Sequence, residues 1–221
     1  MSAREEIMAR IRAALGDAPA APGDAPSATS SKLGGQAAAS APTSTKLGDG
    51  TLVALFADRL VDYKATVRRC GPAELPASVG GALAATTLVV MPEDVPGEWL
   101  SAYHGENRRD TGAEPLSVAD LDAAGVSVLT GCAVAIAETG TIILDAGPAQ
   151  GRRALTLVPD HHVCVVRADQ IAPSVPAGLA RLAEPRRPLT LISGPSATSD
   201  IELNRVEGVH GPRRLDVVIV G

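Results

Sequence analysis

Three stretches of the chain carry residue types that do chemistry. The first, AETGTIILDAGPAQGRR, sets one carboxylate, Glu138, beside Thr139, Gly140 and Thr141, where two apolar runs meet at a turn. Gly140, Gly147 and Gly151 allow a ligand close approach, so Glu138 can serve as nucleophile, base or hydrogen-bond acceptor. The competing reading is an exposed hairpin glutamate. The second stretch, PLTLISGPSATSDIELNRV, runs a buried strand into Gly194, Pro195 and Ser196, then reaches Thr198 and a capping box made by Ser199 and Glu202. Strand, Gly/Ser loop and helix N-terminus expose N–H groups and hydroxyls at the carboxyl end of a sheet, a favoured place for a carboxylate or phosphate. Asp200 adds negative charge there and reads equally well as the helix cap. The third, EGVHGPRRL, places His210 on a Gly-flanked loop, accessible and suited to proton transfer. His161, His162 and Cys164 invite a metal reading, but only His162 and Cys164 share a strand face and no third ligand is near, so no metal site is expected. No Walker-A or G-x-G-x-x-G spacing occurs.

The elements that must hold these stretches follow from periodicity. From Thr51 onward, helical patterns such as LVALFADRLVDY and PAELPASVGGALAA alternate with the runs TTLVVMP, VSVLTG, HHVCVVR, PLTLIS and RLDVVIVG. Continuous Val/Ile/Leu runs separated by helices indicate a parallel or mixed sheet covered on both faces. The runs flanking Thr139-Gly140 add a local hairpin to that alternation. Ahead of this domain, residues 1–16 read as an amphipathic helix: Ser2 and Glu5 cap it, Ile7, Met8, Ile11 and Leu15 form the stripe, and Gly16 stops it. Residues 17–50 are Ala, Pro, Ser, Thr and Gly with the near-copies SSKLGG and STKLGD, which predicts a flexible linker.

Composition narrows the function classes. With 221 residues, 45% of them hydrophobic, the chain can bury one good core. Aromatics are only 2%, which leaves no base-stacking surface, and a net charge of -5 argues against nucleic acid or an anionic membrane. The arginine doublets are scattered, and most read as solvated element ends. Cys70, Cys132 and Cys164 are far apart in sequence and form no C-x-x-C, so a disulfide framework, a zinc ribbon and a cysteine-ligated iron–sulfur cluster are not expected in this chain. No membrane span and no signal peptide are read, which points to a cytoplasmic protein.

The blocks TGCAVAIAETGTIILDAGPAQGRRALTLVPDHHVCVVRADQI and LISGPSATSDIELNRVEGVHGP resemble the LUD-domain family, specifically its lactate-utilisation protein C (YkgG-like) branch, over about Thr51 to Gly221. The resemblance implies a three-layer α/β/α fold with a mostly parallel sheet, similar to NagB, ribose-5-phosphate isomerase and CoA transferases. It also implies a part in oxidising L-lactate to pyruvate alongside partner proteins that carry iron–sulfur clusters. In the CoA-transferase relatives of this fold a glutamate near a strand end is the nucleophile, and Glu138 looks like a counterpart.

Removing two electrons from lactate needs a carrier that side chains alone do not supply. Electrons are therefore expected to travel through the partners, with no cofactor in this chain and a small carboxylate or other anionic ligand at the sheet edge. The alternatives are a stand-alone CoA-transferase-like or sugar-phosphate-isomerase-like enzyme, and a scaffold for iron–sulfur proteins. Either enzyme reading predicts Glu138 in a concave pocket. The site reading predicts that the Glu138 corner, the Asp200/Glu202 loop and the His210 loop adjoin strands of one sheet and converge on one cleft.

Overall fold

In the computed structural model the described residues are 49–184, 186–198, 206–207 and 211–221. The helix expected over 1–16 lies outside them, as does the linker apart from Asp49 and Gly50, which already belong to the first described helix, α1 (Asp49–Asp62).

The large sheet has strands β1 (Thr66–Cys70), β2 (Leu88–Pro92), β3 (Glu106–Asp110), β4 (Val126–Thr130), β7 (His161–Arg167) and β12 (Arg214–Val220). Its order is β1-β12-β7-β4-β2-β3 and every pairing is parallel. The central strands β4, β7 and β12 are buried along almost their whole length, which is why they read as unbroken apolar runs. The edge strands obey a different rule. β3, ENRRD, is exposed up to Asp110 and has no apolar period, so the sequence gives no strand signal there. Its charges suit an edge that must not pair with another chain.

The middle of the chain builds a second sheet. Strands β5 (Val134–Ile136) and β6 (Thr141–Leu144) form the expected antiparallel hairpin; β8 (Ile171–Ala172) joins β5 in parallel and β9 (Thr190–Ile192) joins β6 antiparallel. PLTLIS is thus a partly exposed strand of this small sheet rather than a buried strand of the large one. A two-stranded ribbon, β10 (Ala197–Thr198) with β11 (Val206–Glu207), follows the Gly-Pro-Ser loop.

Helix α2 (Leu75–Ala82) covers one face of the large sheet, with Val79 against Val89, Met91, Val163 and Val218. On the other face α1 presents Phe56 and Leu60 to Cys164, Val217 and Ile219 and to Ala135 and Ile142 of the small sheet. Helices α3 (Val118–Leu121) and α4 (Arg153–Leu157) extend that layer, with Leu121 and Leu155 against Val90 and Val128. Each fully buried aliphatic or aromatic side chain here contributes about 1.5–3 kcal/mol by leaving water. Helix α5 (Val175–Leu179) packs outside the small sheet, and a Cβ at Gly178 would stand 2.9 Å from Ile136 Cγ1. The expected three-layer α/β/α arrangement is therefore present, with the small sheet forming part of one outer layer.

Candidate functional site

Beside the first residues of β7 and β12, a cavity of about 250 Å³ opens between α4 and the end of β9. Its walls are Thr156 and Leu157, His162 and Leu215, the run Thr190 to Ser196, and Gly211 with Pro212. The chain makes this shape for local reasons. Gly194 has φ +87°, and a Cβ there would lie 2.5 Å from the Tyr63 carbonyl oxygen, so only glycine lets the loop pass the end of α1. The Ser196 N–H donates to the Pro212 carbonyl at 2.8 Å, tying this loop to the one entering β12. Arg213 then grips Asp160 through Nη2 at 2.7 Å and holds the starts of β12 and β7 together.

Adjacent histidines on β7 meet opposite conditions. His161 has both ring nitrogens engaged: Nδ1 lies 2.8 Å from Ser127 Oγ and Nε2 lies 2.8 Å from Asp216 Oδ2. Ser127 continues to Thr86 Oγ1 at 2.8 Å, and Asp216 has Arg214 at 3.6 Å and Arg68 at 3.9 Å. His162, on the other face, is fully buried and borders the cavity; Nε2 lies 2.7 Å from Thr130 Oγ1 and Nδ1 has no partner. Burial, helped by the neighbouring His161, pushes the His162 pKa down to about 3, so its ring is neutral at any ordinary pH. Among the described residues no charged side chain lines the cavity.

The sequence-expected residues divide into three groups. Gly194 and Ser196 line this cavity. Thr139 and Thr141 approach it indirectly: their hydroxyls are 2.8 Å apart, and Thr141 Oγ1 is 2.8 Å from Ser193 Oγ in the cavity wall. Thr198 follows in β10, while Ser199, Asp200, Glu202 and His210 lie outside the described residues, as does the convergence proposed for them. Glu138 is exposed and is not among the cavity walls. Its Oε1 accepts from the Val175 N–H at 2.8 Å, the first amide of α5.

Two structural premises change. The Glu138 corner and the Gly-Pro-Ser loop belong to the small sheet and only the Gly211-Pro212 segment leads into the large one, so the three segments do not share a sheet. The loop meets the amino ends of β7 and β12 rather than the carboxyl end of the parallel sheet, because β9 runs antiparallel to β6 in the outer layer. The glycines of the first stretch admit the chain itself. A Cβ at Gly140 (φ +61°) would lie 2.7 Å from Arg59 Cβ, and one at Gly151 (φ +66°) would lie 2.7 Å from Leu155 Cδ1.

Sequence reasoning weighed His162 only as a metal ligand and missed Ser193. Among the described residues no group of three or more His, Cys, Asp or Glu could hold a metal ion. Cys132 and Cys164, distant in sequence, meet in one core cluster, where the hydrogen bond to Cys164 and burial raise the Cys132 thiol well above its ordinary pKa. Arg152 is no solvated element end either. Its Nε donates to Asp110 Oδ2 at 2.8 Å and its Nη2 to Asp110 Oδ1 at 2.9 Å, beside a cleft of about 490 Å³ at the carboxyl ends of β2 and β3. Burial opposes ionisation of Asp110, but the Arg152 hydrogen bonds, the Leu116 N–H and the guanidinium charge outweigh it and hold the carboxyl below its usual range. The signal for this pair was a doublet in the Gly-rich AGPAQGRR segment; its partner lies in the unrecognised strand β3.

Similarity to known proteins agrees with the fold. The LUD domain matches over residues 122–220. Lactate utilization protein C of Deinococcus radiodurans is 50% identical over 183 residues, 81% of this chain and 84% of that protein. Protein YkgG of Escherichia coli K12 is 35% identical over 120 residues, 49% of this chain and 48% of that protein. A crystal structure of a DUF162 family protein from Deinococcus radiodurans has a TM-score of 0.68 and 44% identity, covering 79% of this chain and 99% of that one. With half of the aligned residues shared across most of both sequences, and a solved neighbour of similar fold, this chain belongs to the LUD-domain family, on the lactate utilization protein C branch.

Proposed function

We propose that this protein is a subunit of an L-lactate utilisation system, supporting oxidation of L-lactate to pyruvate together with partner proteins that carry iron–sulfur clusters. The observation that supports this reading is the 50% identity, over 81% of the chain, to a relative named for lactate utilisation. The chemistry favours a shared task. Two electrons must leave lactate, and three cysteines, two of them buried in the core, fall short of the four thiolates that usually hold a cluster. Electron storage then falls to the partners, and this chain contributes a small cavity of about 250 Å³ whose described walls carry no charge. No helix among the described residues is long and apolar enough to cross a membrane.

The test is reconstitution of lactate-dependent reduction of an electron acceptor from this protein and the proteins encoded beside it, omitting each in turn. Loss of the reaction when this chain is left out is the expected result. An unchanged rate without it would overturn the reading.

A further inference from the structure

We draw no further inference here: the strongest candidate, the cleft of about 770 Å³ between the carboxyl ends of β7 and β12 and the start of α2, is lined mainly by apolar side chains such as Leu52, Trp99 and Val220, with Arg167 already paired to Asp169, and nothing in the structure shows what covers it.

Discussion

His161 and His162 are neighbours in sequence and point to opposite faces of β7, and the two faces treat them differently. His161 lies in a closed circuit of Ser127, Asp216 and Thr86, with two arginines at its edge; both ring nitrogens are used. His162 has one nitrogen used, one idle, and a cavity alongside. Serine, histidine and aspartate in a row look like machinery, yet all three are almost fully buried. A satisfied polar circuit in a core fixes strand register and rigidity; an unsatisfied one leaves capacity for a ligand. Residue types alone would rank these two sites the wrong way round.

The comparison breaks most visibly at Asp216. Replacing it in the variant Asp216→Ala leaves His161 Nε2 without a partner and removes the carboxylate facing Arg68 and Arg214. Leaving a buried hydrogen-bonding group unpaired costs about 1–3 kcal/mol, to be read as a lower urea midpoint. A loss under about 1 kcal/mol would mean the circuit is not what holds the amino ends of β7 and β12.

Acid sharpens the other side. The folded pKa of His162, about 3, lies below its ordinary value of 6.5, so between those values the unfolded chain binds more protons than the folded one. Stability therefore falls as the pH drops from 6.5 towards 3, with a slope of up to about 1.4 kcal/mol per pH unit from this residue. In His162→Leu that component should vanish. Since Asp110 and Asp160 lose their own contributions at the acid end in both proteins, the difference between the two melting-against-pH curves isolates His162. Parallel curves would show a ring that protonates freely and hence a wet site.

What the sequence revealed depended on how each element is stabilised. Strands buried on both faces, such as Val126–Thr130 and His161–Arg167, announce themselves through unbroken apolar runs. Glu106–Asp110 does not, because its only requirement is backbone pairing to β2 along a solvated edge. The Gly-Pro-Ser loop was legible as a site from its glycine and hydroxyls. Its neighbours were not, because β9 leaves the large sheet for the outer layer and carries the loop to the amino ends of β7 and β12. His162 could be placed on a strand face from alternation, but its one hydrogen-bond partner, Thr130, is 32 positions away, and that its second nitrogen has none is a property of the packing around it.

The smallest expected effect tests whether the Glu138 corner belongs with the cavity. The corner reaches the cavity wall through the hydroxyls of Thr139, Thr141 and Ser193. Glu138 itself turns to α5, where its carboxylate receives the Val175 amide. In Glu138→Gln the amide oxygen remains an acceptor for that N–H, and only the negative charge at the start of a five-residue helix is lost. At an exposed position that charge is worth about 0.5 kcal/mol, so the melting temperature should hardly move. The reconstituted lactate reaction should be unchanged. The CoA-transferase analogy demands the opposite, since a nucleophile reduced to an amide cannot attack and the reaction would stop. A stable Glu138→Gln protein that supports no lactate oxidation would return the glutamate to the chemistry and make the corner and the cavity two parts of one site.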